Sequence, residues 1–403
     1  MLALPKLKEG HEQPEVLFQL PRSKSESNRL LVAQAIAGPG QLEILHLSDA
    51  RDTQLLQAAL MQTEGTIDIA DAGTAMRFAT AYHAFKGHHV LLTGTARMQE
   101  RPIAPLVEAL RSLGAKIEYM GRPGCPPVRL SGFVPSGIDR LTLDASLSSQ
   151  YLSALILCAP LLSNGIDITL TGQAVSLSYA RMTLQLMQKL GNNSCEENGR
   201  FRLNPTPIRS RVAEVEADWS AAGYAFGLVG LTGRKLLLQG LQKQSLQADA
   251  ALTVKFEPLG VQFAWQPNGS LLVSPGPVRT NEAYIDFTNI PDQAQTLAVY
   301  AAAKGIRLTL TGVSTLRHKE TDRLAALQAE LAKVGCSLIE LHPDVFRVEG
   351  MARHPERPFT TYHDHRMAMS FAMLATRFPI EIEAPDVVQK SFPHFWQELA
   401  KLY

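Results

Sequence analysis

The sequence predicts an α/β protein with two similar domains, each containing three copies of one small βαβ-type unit. Six apolar, mostly Ala-rich segments have the length and composition of buried helices, and each is followed by a strand pattern. Four glycines follow amphipathic helical segments and recur about every 69 to 77 residues, which is too regular for chance and too long for a solenoid repeat. These are Gly114, Gly191, Gly260 and Gly335.

The six apolar helices are predicted from their missing polar face and from the capping residues before them. They cover residues 30–37, 74–85, 149–162, 220–231, 292–303 and 364–375. The strands that follow have the sequences QLEILHLSD, HHVLLTG, IDITLTG, RKLLLQG, IRLTLTG and FPIEIE. The first copy is short, because only about twenty residues separate Arg51 from Asp71.

Six units fit two domains of three, although no Pro/Gly/Ser-rich linker marks a boundary. The most suitable crossing points lie just before Pro21 and near Val215, where the extended segment RVAEVEA leads into the fourth apolar helix. We therefore predict one domain from residues 21–215 and a discontinuous domain from residues 1–20 and 216–403.

Polar and charged residues are concentrated at the N-terminal entrances of the six apolar helices. If equivalent units pack alike, three entrances from each domain face one another across a cleft, where helix dipoles and cations act on a small anion. The entrances contain Lys24 and Arg29, DAGTAMR (71–77), SSQ (148–150), DWS (218–220), PDQ (291–293) and HDHR (363–366).

The composition excludes several classes of protein. The formal net charge of +1 disfavours general binding to nucleic acid or a membrane surface. No apolar run is long enough to span a bilayer, and MLALPKLKEGHEQ lacks the apolar core of a signal peptide, so we expect a soluble cytoplasmic protein. The four cysteines are scattered, which predicts no disulfide and no zinc or redox site. They are Cys125, Cys158, Cys195 and Cys336.

The segment LRHKETDRL is the densest group of candidate chemical residues. Lys319 and Arg323 alternate with Glu320 and Asp322 where a loop becomes a helix. The two carboxylates could simply cap the helix and form surface ion pairs, which stabilise little. Inside a cationic cleft, however, a carboxylate stays ionised and can accept or relay a proton.

Two further motifs invite chemical interpretations that we disfavour. His363 and His365 form a single X-separated pair without a nearby third ligand, so we expect capping and anion contact there rather than a metal site. Cys125 lies in a Pro-rich loop without an adjacent histidine, which is typical of an inert thiol.

Eight segments together resemble the 5-enolpyruvylshikimate-3-phosphate synthase family of enolpyruvyl transferases. They occur in the family's order between residues 21 and 396: SKSESNR, DAGTAMR, RMQERP, LSSQYLSAL, IPD, HKETDRL, DHRMAMSFA and QKSFPHFW. The resemblance implies two domains, each of three βαβαββ units forming an inside-out α/β barrel with helices that point at the cleft. It also implies transfer of the enolpyruvyl group of phosphoenolpyruvate to the 5-hydroxyl of shikimate 3-phosphate, with release of phosphate and without metal or organic cofactor.

The resemblance implies roles for individual residues. For catalysis, Asp292 would deprotonate the 5-hydroxyl, Glu320 would handle the methylene proton, and Lys24 would protonate or stabilise the bridging oxygen. The residues implied to hold shikimate 3-phosphate are Lys24, Ser25, Arg29, Ser148, Ser149, Gln150, Ser176, Tyr179, Asp292 and Lys319. Those implied to hold phosphoenolpyruvate are Lys24, Gly73, Arg101, Gln150, Arg323, Arg366 and Lys390. We expect a monomer that acts on these two small molecules.

Several positions depart from the family's pattern. Asp71 and His363 stand where the family has Asn, and Thr315 stands where a substrate-binding Asn is expected. Residues 177–178 replace a Lys-Pro pair, and Gln293 replaces an Ala. A charge on Asp71 beside the phosphoenolpyruvate site must either be neutralised by a cation or weaken affinity.

Two alternatives remain at this stage. An enolpyruvyl transferase acting on UDP-N-acetylglucosamine would need a reactive loop cysteine, and Cys125 is the candidate, but the KETDR and SSQ motifs argue against it. A non-catalytic two-domain anion-binding protein would use the same cations. The presence of Lys24, Asp292 and Glu320 argues against that alternative.

Overall fold

The computed structural model describes residues 1–7, 10, 14–172 and 175–403. The chain divides into two compact units, which we call the discontinuous unit (residues 1–22 and 216–403) and the continuous unit (residues 23–215). Among the described residues, every helix is too short or too polar to cross a lipid bilayer.

The described residues form short strands and helices that alternate along the chain. The strands are β1 (Leu2–Leu4), β2 (Val16–Phe18), β3 (Glu43–Leu45), β4 (Glu64–Asp68), β5 (His89–Thr93), β6 (Ala115–Tyr119), β7 (Val128–Phe133), β8 (Arg140–Asp144), β9 (Ile166–Thr171), β10 (Cys195–Glu197), β11 (Arg200–Leu203), β12 (Val212–Glu214), β13 (Leu236–Leu238), β14 (Leu259–Trp265), β15 (Leu271–Val278), β16 (Glu282–Asp286), β17 (Arg307–Thr311), β18 (Ser337–His342), β19 (Val345–Glu349) and β20 (Ile380–Ile382). The α-helices are α1 (Lys24–Ala37), α2 (Arg51–Met61), α3 (Gly73–Lys86), α4 (Ala104–Leu113), α5 (Gln150–Leu157), α6 (Leu177–Lys189), α7 (Trp219–Thr232), α8 (Leu252–Phe256), α9 (Ala294–Lys304), α10 (Arg323–Ala332), α11 (His365–Ala372) and α12 (Phe395–Ala400).

Four sheets have the same four-stranded topology. In three of them the two parallel strands are joined through a helix, whereas in the fourth the continuous unit and α7 lie between β2 and β13 in the chain. In all four an antiparallel hairpin adds to the edge of the second strand. The strand orders are β4-β5-β7-β6 and β8-β9-β11-β10 in the continuous unit, and β2-β13-β15-β14 and β16-β17-β19-β18 in the discontinuous unit. The second helix of each copy precedes the hairpin, so these four copies are complete βαβαββ units.

Two further copies are truncated to two-stranded sheets. In the continuous unit β12 pairs in parallel with β3, and in the discontinuous unit β1 pairs antiparallel with β20. The predicted short first copy is therefore confirmed, and the sixth copy is short as well. The predicted α/β fold with six related units is confirmed.

The central helices are buried because small residues let them pack closely. Almost every residue of α7 and α9 is buried. A Cβ atom added to Gly230 in the last turn of α7 would overlap the Tyr300 hydroxyl on α9. The same hydroxyl donates a hydrogen bond of 2.7 Å to the carbonyl of Leu259. The helix bodies thus form the core, and their polar first turns remain available for function.

The structure corrects three local predictions. Helix α1 begins at Lys24 rather than at residue 30, because the Ser23 hydroxyl accepts a hydrogen bond from the Glu26 amide and caps the polar turn. Helix α5 ends at Leu157 rather than at residue 162, where a 3-10 turn replaces it. Gly260 does not follow a helix end; it lies inside β14 at a register shift, since Pro258 ends the helical segment earlier.

Candidate active site

One cluster of charged residues lies in the discontinuous unit, where the starts of α9, α10 and α11 meet. We call it the carboxylate–arginine cluster, and it consists of Asp292, Lys319, Glu320, Arg323, Asp364 and Arg366. A 3-10 turn, Pro291–Gln293, places Asp292 at the start of α9. The other members precede or begin α10 and α11. Three sequence segments that are far apart in the chain therefore supply one site.

Arg323 is the centre of this cluster. Its side chain is 2% exposed, and its Nε donates to Asp364 Oδ2 over 2.7 Å. Its Nη1 donates to Asp292 Oδ1 over 3.0 Å, and its Nη2 donates to Glu320 Oε2 over 2.9 Å. One guanidinium thus joins the two carboxylates predicted to transfer protons.

Asp292 is surrounded by cations. Arg366 Nη2 donates to Asp292 Oδ2 over 2.8 Å, and Lys319 Nζ lies 3.7 Å from Oδ1, in addition to the bond from Arg323. The Asp292 side chain remains 21% exposed, so its carboxylate is held by these cations while part of it reaches the surface of the unit.

The pKa values in this cluster shift according to this arrangement. Burial opposes ionisation of Asp292, but Arg366, Lys319 and Arg323 outweigh it and hold the pKa of this carboxyl well below its usual range. Burial likewise disfavours the charged form of Arg323, yet Asp364, Glu320 and Asp292 raise its pKa overall. Asp292 and Arg323 are therefore both charged at neutral pH.

The helix starts around the cluster are capped by carboxylates. Asp322 accepts from the amides of Leu324 and Ala325 and caps α10, and Asp364 accepts from the amide of Arg366 and caps α11. The capping interpretation of HDHR is confirmed for Asp364. Lys390, predicted to hold phosphoenolpyruvate, is buried on the turn Pro385–Lys390, which packs against α11.

A second group of predicted site residues lies in the continuous unit. Lys24 Nζ forms an ion pair of 3.0 Å with Asp52 Oδ2 at the start of α2. The Asp52 side chain is buried, so it fixes the position of the Lys24 ammonium group at the first turn of α1. Reasoning from sequence missed Asp52, although its place in the first turn of an amphipathic helix is typical of a carboxylate near a helix N-terminus.

Arg29 is buried between α1 and α6. Its Nε donates to the Thr183 hydroxyl over 2.7 Å, its Nη1 to the Ser25 carbonyl over 2.8 Å, and its Nη2 to the Tyr179 carbonyl over 3.1 Å. Its guanidinium also lies 5.5 Å from the centre of the Phe78 ring. Burial lowers the pKa of Arg29 to about 10, and Tyr179 and Glu26 oppose this shift, so Arg29 is charged at neutral pH.

The entrance of α3 brings together Gly73 and Arg101. A Cβ atom built on Gly73 would lie only 2.6 Å from Arg101 Nη1, so the guanidinium packs directly on the helix start. Next to it, Gln150 Nε2 donates to the Thr74 hydroxyl over 3.1 Å. Three residues predicted to hold phosphoenolpyruvate therefore meet at the neighbouring entrances of α3 and α5.

The remaining predicted residues of the continuous unit lie at helix starts. Ser25 is in the first turn of α1, and Ser148 accepts a hydrogen bond from the Gln150 amide at the start of α5. Ser149 is buried beside it. Ser176 precedes α6 in a left-handed conformation with φ of 53°, and Tyr179 lies in the first turn of that helix.

The described residues offer little for a metal or a cysteine nucleophile. No group of three or more His, Cys, Asp and Glu side chains with the geometry of a metal site occurs among them. Cys125 is buried, and its thiol donates to the Glu100 carbonyl over 3.5 Å.

The repeated βαβαββ units and the cation-rich helix starts define a class of α/β protein that holds carboxylates among arginines at helix starts suited to small anions. The model of the family described as EPSP synthase (3-phosphoshikimate 1-carboxyvinyltransferase) matches residues 57–399. The chain belongs to this family, as the eight resembling segments predicted.

Curated relatives support the same assignment over nearly the whole chain. A protein from Bacteroides fragilis (strain YCH46) named 3-phosphoshikimate 1-carboxyvinyltransferase is 41% identical over 397 residues, which are 96% of this chain and 95% of the relative. A protein of the same name from Methanospirillum hungatei is 34% identical and covers 95% of each chain.

A solved structure shows the same fold. The structure of EPSP synthase from Acinetobacter baumannii superposes with a TM-score of 0.75 at 20% identity, covering 100% of this chain and 98% of that chain. At this identity the likeness supports the fold.

Proposed function

We propose that this protein is a 3-phosphoshikimate 1-carboxyvinyltransferase. It transfers the enolpyruvyl group of phosphoenolpyruvate to the 5-hydroxyl of shikimate 3-phosphate and releases phosphate, a step of aromatic amino acid biosynthesis. The observation that carries the proposal is the bridge from Arg323 to both Asp292 and Glu320, in a chain that matches the EPSP synthase family over residues 57–399.

The reaction needs cations and proton-transfer groups together. Each substrate carries a carboxylate and a phosphate, and arginine binds both groups through paired hydrogen bonds. When the 5-hydroxyl oxygen adds to phosphoenolpyruvate, the hydroxyl loses a proton and the methylene carbon gains one. Loss of phosphate and of one methyl proton then restores the double bond, so a proton acceptor and a proton donor are both required.

Asp292 is proposed as the acceptor of the hydroxyl proton. Held by Arg366, Arg323 and Lys319, it is a weak base, because its pKa lies well below the usual range. A substrate carboxylate that binds Arg366 or Lys319 competes with Asp292 for these cations and makes Asp292 a stronger base. Binding of the anionic substrate thus prepares the base.

Glu320 is proposed to exchange the methylene proton, and Lys24 to protonate or stabilise the bridging oxygen. Glu320 is kept near Asp292 by Arg323, which bonds to both carboxylates. Lys24 keeps its position through the ion pair with Asp52. Each such positioned group typically contributes about 10² to 10⁴ in rate.

The binding residues are proposed as follows. Shikimate 3-phosphate is held by Lys24, Ser25, Arg29, Ser148, Ser149, Gln150, Ser176, Tyr179, Asp292 and Lys319. Phosphoenolpyruvate is held by Lys24, Gly73, Arg101, Gln150, Arg323, Arg366 and Lys390. We further propose that the discontinuous and continuous units are the two domains, and that the enzyme is a cytoplasmic monomer that needs no cofactor, nucleic acid or membrane partner.

The test is phosphate release by the purified protein. We expect inorganic phosphate to form from phosphoenolpyruvate only when shikimate 3-phosphate is added, with the enolpyruvyl ether product detected by mass spectrometry. UDP-N-acetylglucosamine replaces shikimate 3-phosphate in a parallel reaction. Turnover with that acceptor alone, or none with either, would show that the proposed function is wrong.

A further inference from the structure

The start of α7 in the discontinuous unit leads to a buried hydrogen-bond network that the proposed function does not use. Asp249, on the 3-10 turn Ala248–Ala251, is buried. Its Oδ2 accepts a hydrogen bond from the Ser220 hydroxyl at the start of α7 and a second, of 3.0 Å, from Gln293 Nε2. Gln293 directly follows Asp292 in the chain, so one peptide bond joins this network to the proposed base.

Gln293 fits tightly in this position. Its side chain is 0% exposed, and a Cβ atom built on Gly223 of α7 would lie 2.6 Å from its Oε1. Its Nε2 also lies 3.4 Å from the Ser220 carbonyl oxygen. Gln293 stands where the resembling family has Ala, and the missing side chain at Gly223 makes space for it.

The network has two buried oxygens that lack a hydrogen bond. Within the described residues, neither Asp249 Oδ1 nor Gln293 Oε1 accepts one. A buried carboxylate oxygen without a donor favours the protonated acid. Burial accordingly raises the pKa of Asp249 to about 6, and Asp292 shifts it in the same direction, while Ser220, Arg366 and Gln293 oppose this shift.

The charged groups that face Asp249 come from two elements. Asp292 lies on the turn before α9, and Arg366 lies in α11. Helix α7, which packs against the turn of Asp249, supplies the Ser220 hydroxyl and carries no charged residue between Trp219 and Thr232. The other ionisable residues on the segments that adjoin this turn in sequence or packing are Glu216, Asp218, Tyr224, Lys255 and Glu257.

We infer that Asp249 and Gln293 form a positioning pair for Asp292: ionised Asp249 strengthens Asp292 as a proton acceptor, and Gln293 sets how readily Asp249 ionises. The inference rests on the proposed function, because it takes Asp292 as the base. A negative charge near Asp292 increases its affinity for a proton, whereas a protonated Asp249 leaves Asp292 to its cations alone. Because both side chains are buried, the pair acts by changing the basicity of Asp292 and not by contacting a substrate.

The first test measures the titration of Asp249 directly. In protein labelled with carboxyl-¹³C aspartate, the Asp249 resonance is the one missing from Asp249→Asn, and we expect its midpoint near pH 6. Gln293→Met keeps the volume but removes the donor that stabilises the ionised form. We expect it to raise the midpoint by roughly half to one pH unit.

The matched control is Gln295→Met. Gln295 is also fully buried, lies on α9 two residues further along, and makes no side-chain hydrogen bond within the described residues. Its replacement removes a similar carboxamide without touching Asp249, so the midpoint stays at its wild-type value. An unchanged midpoint in Gln293→Met, or an Asp249 that does not titrate between pH 5 and 7.5, would overturn the inference.

The second test compares rates. The substrates' own phosphates titrate near pH 6, so the useful quantity is the ratio of kcat/KM between wild type and Asp249→Asn. We expect this ratio to rise between pH 5 and 7.5, because only the wild type gains the charge that strengthens Asp292. If Asp249→Asn does not fold, the ratio of kcat/KM between wild type and Gln293→Met replaces it. We expect that ratio to pass through a maximum at about pH 6 to 7, because Asp249 ionises at lower pH in the wild type than in Gln293→Met. A ratio that stays flat from pH 5 to 7.5 would overturn the inference.

Failure of the inference and failure of the proposed function are distinguishable. If Asp292→Asn retains wild-type activity, Asp292 is not the base, whatever Asp249 does. If Asp292→Asn is inactive while the ratio between wild type and Asp249→Asn is flat, the proposed base stands and the positioning pair is wrong.

Discussion

The two groups of predicted site residues satisfy their buried arginines in different ways. Arg323 in the discontinuous unit donates to three carboxylates, those of Asp292, Glu320 and Asp364. Arg29 in the continuous unit donates to two carbonyl oxygens and a hydroxyl. Carboxylate partners balance the charge of a guanidinium, whereas neutral acceptors orient it and leave its charge in place.

This difference suits the two groups to different tasks. In the carboxylate–arginine cluster an incoming anion would compete with Asp292 for the cations, so binding would change the basicity of the proposed base. Around Arg29 a phosphate meets a positive charge that no carboxylate bond balances within the described residues, which favours anion binding without proton transfer. The chemistry is thus expected mainly from one unit, and affinity for phosphate mainly from the other.

The largest expected effect concerns Asp292. Asp292→Asn keeps the size of the side chain but removes the proton acceptor, so kcat should fall by about 10² to 10⁴. Asp322→Asn is the matched control, because Asn also caps helices and Asp322 serves α10. Steady-state kinetics with both substrates checks this prediction, and a similar loss in both variants would contradict it.

The next effect compares Arg323→Met with Arg29→Met. Arg323→Met leaves the fully buried Asp364 without its guanidinium partner and should reduce the free energy of unfolding by about 3–5 kcal/mol. Arg29→Met removes the donor that serves two carbonyl oxygens and a hydroxyl. We expect it to reduce the free energy of unfolding by about 1–3 kcal/mol.

Denaturant unfolding followed by fluorescence measures both variants. Equal losses would mean that the neutral and carboxylate partners do not differ as the geometry indicates. Because Arg323 holds three carboxylates in place, its replacement is an unsuitable test of its proposed role in phosphoenolpyruvate binding alone.

A pH-dependent effect belongs to the continuous unit. Burial lowers the pKa of His83 to about 4, and its neighbour His88 adds to this shift, while the Ala59 carbonyl opposes it. The unfolded chain therefore binds this proton first, and stability present above pH 6.5 is lost as the pH falls toward 4, by roughly 3 kcal/mol in total.

Unfolding free energies of wild type and His83→Phe between pH 7.5 and 4.5 isolate this contribution. We expect the difference between the two proteins to shrink or reverse as the pH falls. Asp249 acts in the opposite sense in both proteins, because its raised pKa means that the folded state gains a proton below about pH 6. A constant difference would show that His83 does not titrate in this way.

The smallest expected effect concerns the position of the Arg101 guanidinium on the start of α3. Gly73→Ala places a Cβ atom 2.6 Å from Arg101 Nη1 and must displace the guanidinium. We expect KM for phosphoenolpyruvate to rise about tenfold, which corresponds to about 1.4 kcal/mol, with little change in KM for shikimate 3-phosphate. Gly121→Ala is the control, since its Cβ atom meets only Pro127 at 3.4 Å. Equal changes in both KM values would contradict the proposed division of binding residues.

Most of the fold could be predicted from local patterns. The apolar helices lack a polar face, the strands alternate, and glycines with positive φ follow α4 and α10, at Gly114 and Gly335. The same reasoning was wrong at Gly260, because a Pro-containing turn and a strand bulge produce a similar local sequence. It also placed the start of α1 too late, since polar residues are tolerated in a capped first turn.

The candidate site was predictable in its residue types but not in its pairings. The KETDR segment and the helix starts indicated cations and carboxylates, and the structure brings Asp292, Lys319, Glu320, Arg323 and Arg366 together. Asp52 and Asp249 gave no comparable signal, because their importance comes from contacts with Lys24 and Gln293. The catalytic and binding roles, and the cleft predicted from the six helix starts, stay predictions.

By itself, the sequence determined the six repeated units, the family and the kinds of charged groups at the helix starts, because these depend on composition and order along the chain. Only the tertiary structure decided which groups are partners. Arg323 and Asp364 are 41 positions apart, and Asp292 and Arg366 are 74 positions apart, so their contacts depend on how the repeats pack within the discontinuous unit. Burial and neighbouring charge then set the ionisation of each carboxyl, which no local pattern encodes.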